Sequence, residues 1–166
     1  MDNVNRIRVG FFAPDFTLKD SESKRIRLSD FFGKKNVLLF FYQGKKCRFC
    51  LDWLGELAKA CDRIRLKNAE ILSISSDERW MSQKLKNETK IEFPILKDEK
   101  DTKGGPVAPK VSEQYGVQIS KSERPDLYLA VFIIDKRGII RFRRICTHPT
   151  KKPTVDELLC ELEKLS

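Results

Sequence analysis

The chain has 166 residues, of which 40% are hydrophobic and 34% charged, and its 33 Lys and Arg against 24 Asp and Glu leave a net charge of +9. That length suits one domain with a sizeable core and is short for two, so residues 1–166 are expected to form a single domain. The longest apolar run, Leu127 to Ile134, has 8 residues, where a membrane-spanning helix needs about 20.

The composition also excludes a fibrous protein, and 11 Phe provide enough apolar bulk to exclude a disordered one. Met1 to Arg6 contain no apolar stretch resembling a signal peptide, so the expected compartment is the cytosol. The cations are scattered in short groups: Lys24-Arg25, Lys34-Lys35, Lys45-Lys46-Arg48, Arg141-Arg143-Arg144 and Lys151-Lys152. No zinc-finger spacing, basic zipper or aromatic-studded RNA-binding signature accompanies them. They read as a solvated basic surface, with neither nucleic acid nor membrane as the partner.

In chain order, Gly10 to Asp30 holds two weak strands, around Phe16–Leu18 and Ile26–Leu28. Asn36 to Tyr42 is a continuous apolar run that suits a strand buried on both faces. After the break at Gln43-Gly44, the residues Leu51, Leu54, Leu57, Ala58, Cys61 and Ile64 recur at helical spacing. They predict a helix from near Cys47 to about Lys67. Glu70 to Ser75 reads as a second buried strand, and Asp77 opens a helix bearing Trp80, Met81 and Leu85. The charged stretch Lys97 to Pro106 reads as an exposed loop. Pro109 and Gly116 bracket a short helix, with Pro109 at its first position. Tyr128 to Ile134 and Ile139 to Ile145 form a hairpin about Asp135–Gly138. Thr154 and Glu157 make a capping box for a last helix whose apolar face is Val155, Leu158, Leu159, Leu162 and Leu165. This order describes an α/β fold, a mixed central sheet with helices on both faces.

The 5 cysteines are an odd number, which argues against a structural disulfide framework. Cys47 and Cys50 form a C-x-x-C where a buried strand turns into a helix. A helix N-terminus carries roughly half a positive charge and favours an anion there, and Lys45, Lys46 and Arg48 add cations nearby. A thiol of pKa near 8.5 is only about 3% ionised at pH 7; lowering its pKa to about 6 takes roughly 3.4 kcal/mol. The helix terminus supplies about 1–2 kcal/mol of that, and the cations or local hydrogen bonds must supply the rest. The two-residue spacing lets either sulfur attack the other once it is oxidised.

The remaining cysteines have plainer readings. Cys61 lies on the apolar stripe, roughly 16 Å along the helix from Cys50, and reads as core. Cys160 falls on the polar side of the last helix and reads as an incidental surface thiol. Cys146 ends a strand beside Thr147-His148; Cys47, Cys50, Cys146 and His148 together would supply four zinc ligands, although C-x-H is an unusual half-site. His148, the only histidine, has no evident partner for hydrolase chemistry.

Several segments resemble the peroxiredoxins of the alkyl hydroperoxide reductase and thiol-specific antioxidant family. They are Gly10–Leu18, Leu28–Phe31 with Gly33-Lys34, Val37–Tyr42 with Cys50, Ile71–Asp77, Phe93-Pro94, Tyr115–Val117 and Phe132–Asp135 with Gly138. The resemblance spans roughly residues 10 to 145. It implies a thioredoxin-like fold and a cofactor-free thiol peroxidase, with Cys50 attacking a hydroperoxide, Cys47 resolving, and a thioredoxin-like or other dithiol as electron donor. A homodimer is compatible with it. The sequence departs from the family's P-x-x-x-T-x-x-C at Gln43, where the proline stands, and at Cys47, where the threonine stands. Leu129 occupies the position of the family's arginine, and the nearest arginine upstream is Arg124. In the family those groups orient the peroxide and stabilise the thiolate.

The alternative reading is a thioredoxin-like disulfide reductase, whose C-x-x-C this one also resembles and in which Cys47 would be the nucleophile and Cys50 would release the product. Lys46 stands where those proteins carry a tryptophan, and Pro125 is the candidate for their cis-proline. A binding protein on the same fold, using its basic surface toward an acidic partner, is the third reading.

Overall fold

The computed structural model describes residues 7–44, 47–99, 110–117, 129–148 and 151–165. Its strands are β1 (Thr17–Lys19), β2 (Arg25–Arg27), β3 (Asn36–Tyr42), β4 (Ala69–Ser75), β5 (Ile95–Lys97), β6 (Leu129–Ile134) and β7 (Ile140–Cys146). Its helices are α1 (Arg48–Leu66), α2 (Arg79–Thr89), α3 (Val111–Gln114) and α4 (Val155–Glu163).

The five-stranded sheet has the order β5-β4-β3-β6-β7. β3 lies at its centre, parallel to β4 and antiparallel to β6, which explains why all seven of its residues are buried. Alternation divides them between two cores: Leu38, Phe40 and Tyr42 face one, Val37, Leu39 and Phe41 the other. The first core is covered by α1, α2 and α4 and holds Trp53, Leu57, Ile64, Leu85 and Leu162. The second is covered by the β1–β2 hairpin, the 3-10 turn Leu28–Phe31 and the short α3, through Phe16, Leu18, Leu28, Val111 and Tyr115. The α/β architecture expected from the sequence is therefore present, with the three longer helices on one face.

Differences in detail have physical reasons. β5 was not anticipated; it is three residues long, too short to show a period, and its identity comes from pairing Ile95–Lys97 with Ser73–Ser75. The expected exposed loop from Lys97 onward begins otherwise. Lys97 belongs to β5 and forms ion pairs with Glu78 and Glu99, and Asp98 is buried, accepting hydrogen bonds from Ser112 Oγ at 2.6 Å and Ser112 N at 3.0 Å. Those bonds place the start of α3, with Val111 as its first residue and Lys110 as its N-cap; Pro109, expected at the first helical position, lies outside the described residues. Gly116 follows α3 with φ of +69°, as a helix-terminating glycine should. α2 begins at Arg79, later than expected, and Trp80 stands exposed while Ser82 and Leu85 face inward. On α1 the buried arc includes Cys50, Trp53 and Ala60 as well as Leu54, Leu57, Cys61 and Ile64. Leu51 and Ala58 sit at its margin. The arc is broad because α1 packs against both the sheet and α4.

The expected capping box at α4 is half realised: the Thr154 side chain accepts from Glu157 N at 3.1 Å, while the Glu157 carboxylate bonds Arg144. Thr154→Ala should lower unfolding free energy by about 1 kcal/mol, measured as a shifted urea midpoint at unchanged slope.

Candidate functional site

β3 delivers the chain from the middle of the sheet to Gln43-Gly44, and Cys47 then takes the N-cap position of α1 with extended φ of −91° and ψ of 96°. An N-cap side chain accepts from the first unpaired N–H groups of its helix. Here that acceptor is sulfur: Cys50 N donates to Cys47 Sγ at 3.2 Å. The turn is closed by Cys47 N to Gly44 O at 3.1 Å and Leu51 N to Cys47 O at 3.0 Å. This geometry brings the Cα atoms of Cys47 and Cys50 to 5.2 Å, and their sulfurs are joined as a disulfide. Cys47 is 8% exposed and Cys50 1%, so both residues are buried and Cys47 is the less covered of the two.

Under the disulfide lies an aromatic floor. Phe40 makes edge contacts with Trp53 at 4.8 Å and Phe93 at 6.0 Å. Trp53 Nε1 donates to Pro153 O at 3.2 Å, and Lys152 lies 5.4 Å over the Phe49 ring while pairing with Glu56 at 3.0 Å. The segment before α4 thus straps the first two turns of α1.

Polar neighbours that the sequence reading did not single out come from the C-terminal end of β4. Parallel pairing places Ser75 beside Tyr42, and the loop beyond it carries Ser76 and Asp77 to the dithiol turn. Ser76 Oγ donates to Gln43 O at 2.9 Å. Gly44 has φ of +130°, and a Cβ there would collide with the Asp77 carboxylate. The Tyr42 hydroxyl is enclosed and makes no well-formed hydrogen bond. Burial pushes its phenol well above the usual range, with the Ser75 hydroxyl acting the other way and the Asp77 carboxylate pushing in the same direction. The Y-to-S register across two parallel strands was the signal for these contacts, and it appears only once β3 and β4 are aligned.

Leu129 is fully buried in β6, opposite Tyr42 on one side and Cys146 on the other. The register position that would carry a guanidinium is therefore apolar. Arg144, two residues before Cys146 on β7, is engaged with Glu157, its Nη1 lying 3.0 Å from the carboxylate. Lys45, Lys46, Arg124 and Pro125 lie outside the described residues. Arg48, the first residue of α1, is exposed.

The other cysteines separate by burial. Cys61 is core, and desolvation raises its thiol. Cys146 is enclosed, its Sγ lying 3.5 Å from Lys151 O; burial pushes its pKa up to about 11, with Arg144 acting the other way. Cys160 is exposed on α4. Cys47, Cys50, Cys146 and His148 do not assemble into a metal-binding group, and no other three His, Cys, Asp or Glu among the described residues do so.

Two outcomes follow. At pH 8, alkylation of the native oxidised protein should modify Cys160 within minutes and leave Cys61 and Cys146 unmodified until denaturant is added, as read by mass spectrometry. Gly44→Ala should destabilise by about 1–3 kcal/mol through backbone strain and the collision with Asp77. In a denaturation cycle the Gly44→Ala/Asp77→Ala pair should lose less than the sum of the single changes.

Comparison with known proteins places this geometry. The model of the AhpC/TSA family matches residues 9–143. The 2-Cys peroxiredoxin BAS1 of Hordeum vulgare is 31% identical over 170 residues, covering 95% of this chain and 74% of that protein. Peroxiredoxin Q of Suaeda salsa is 27% identical over 143 residues, covering 83% of this chain; the chain spans only 60% of that relative's length. The crystal structure of peroxidoxin BcpB from Mycobacterium tuberculosis superposes with a TM-score of 0.77 at 20% identity, covering 96% of this chain and 99% of that one, which establishes a shared fold.

Proposed function

Because this chain belongs to the AhpC/TSA family, we propose that it is a thiol-dependent peroxidase, one thioredoxin-like domain over residues 1–166, that reduces hydroperoxides through Cys50 and Cys47. The observation that carries this reading is the bonded pair itself: Cys50, at the family's attacking position, is joined to a cysteine three residues earlier at the N-cap of the same helix.

The cycle balances as follows. The Cys50 thiolate attacks the peroxide O–O bond; the distal oxygen stays on sulfur as a sulfenic acid and an alcohol leaves after protonation. Cys47 then attacks the Cys50 sulfur, a disulfide forms and water departs. An external dithiol of thioredoxin type reduces that disulfide and is itself oxidised. Helix N-terminal amides favour the thiolate, and the chemistry needs no cofactor. Cys50 is covered in the disulfide state, so the form described here corresponds to the end of the cycle, before reduction. No helix among the described residues is long and apolar enough to cross a membrane. We assign the cytosol as the compartment, where a dithiol donor is kept reduced.

One observation favours a second reading. The Cys50 backbone N–H at the helix terminus donates to the Cys47 sulfur, and Cys47 is also the less covered residue of the pair. Those are the attributes of the nucleophile in a disulfide reductase, where Cys47 would attack a substrate disulfide and Cys50 would release the product.

Stopped-flow peroxide consumption with single-cysteine variants separates the two. Cys50→Ser should abolish consumption. Cys47→Ser should consume one equivalent and then stop, leaving a sulfenic acid that a dimedone-type trap detects. Reduction of insulin with Cys47 essential and peroxide untouched would instead establish the reductase, and failure of both assays would leave a binding protein.

A further inference from the structure

We propose that the end of the sheet remote from the dithiol binds a small polyanion, a molecule carrying a di- or polyphosphate group. β3 runs seven residues between the two ends, about 20 Å. At its start, Asn36 opens onto a cavity of about 570 Å³ bounded by the β6–β7 turn, β7 and the C-terminal end of α4. That volume falls within the range of small-molecule sites and exceeds what a single phosphate needs.

The lining is built of donors. Lys136, Arg137, Arg141 and Lys164 face the cavity, against the carboxylates of Asp135 and Glu161, an excess of two positive charges. Both carboxylates are already satisfied. Asp135 accepts Arg137 N and Ile139 N on one oxygen and Arg141 Nε at 2.8 Å on the other. Burial alone would raise its pKa, but these donors outweigh it and hold the carboxyl below its ordinary value, so it stays ionised and fixed. Glu161 takes Lys164 Nζ at 3.1 Å.

The consequence for Arg141 is geometric. Its Nε is pinned by Asp135, and the side chain remains 43% exposed. Its two terminal nitrogens are the donors that would make the bidentate contact of guanidinium with phosphate. Asn36 adds a second, independent feature. It is 2% exposed and lines the cavity, while its backbone N donates to Asn68 O at 2.9 Å. Its side-chain amide lines the same cavity as the cations and adds a polar group to it. Lys136 and Arg137, both exposed, add two positive charges to the lining.

Calorimetric titration of the full chain with inorganic pyrophosphate tests the proposal. One saturable site per chain is expected, weakening as salt rises. Lys136→Gln/Arg137→Gln, both on the surface, should weaken it about tenfold or more, and Asn36→Ala should weaken it in the same direction. Lys59→Gln/Lys90→Gln, which removes equal charge elsewhere, should not. Peroxide consumption should be unchanged in Lys136→Gln/Arg137→Gln, which separates this site from the dithiol. ADP competing with pyrophosphate supports a nucleotide as ligand; pyrophosphate bound with ADP excluded supports an inorganic polyphosphate. Absence of saturable binding for both, equal binding by Lys136→Gln/Arg137→Gln, or equal loss in the charge-matched control overturns the proposal.

Discussion

One constraint organises the dithiol end of the molecule: a helix must satisfy its first N–H groups, and here a sulfur does so. Cys47 accepts from Cys50 N as N-cap of α1, and the same turn of helix that creates the need for a cap sets the second cysteine beside the first. Backbone satisfaction and sulfur pairing are therefore one arrangement. It depends on β3 arriving at a fixed height, which its burial on both faces and its pairing with β4 and β6 secure.

The arrangement is held from outside by residues far along the chain. Residues 151–153, leading into α4, contribute the Pro153 carbonyl to Trp53 and the Lys152 side chain to Glu56 and the Phe49 ring. A hydrogen bond of this kind adds about 1 kcal/mol, and the exposed pair less. Their larger effect is positional, since they fix α1 laterally over its aromatic floor. On the other side, Gly44 admits the Asp77 carboxylate, so the loop after β4 closes against the dithiol turn.

The same sheet shows how a familiar scaffold is altered locally. Leu129 fills with hydrocarbon the place between Tyr42 and Cys146, and Arg144 on the neighbouring strand is committed to Glu157. A helix amide, Cys50 N, is a donor that reaches Cys47 Sγ at this end of the sheet. At the opposite end of β3, Asp135 orders Arg141 beside the cations Lys136 and Arg137.

Much of this was legible in the residues. The continuous apolar run of β3, the helical stripe of α1, the Thr154 cap and the C-x-x-C at a strand-to-helix junction are local patterns, because strand burial, helical period and capping are each decided within a few residues. Cys61 as core and Cys160 as surface followed from the same periodicity. What needed the tertiary structure were contacts between segments distant in sequence: β5, recognisable only through its pairing with β4; Asp98 buried on Ser112; the strap of Pro153 on Trp53; and Asp77 against Gly44. A one-dimensional pattern records which face a side chain takes, but which other segment meets that face is set by sheet order and register. That is why the sequence by itself determined the dithiol and its helix, while only the assembled sheet decided what surrounds them.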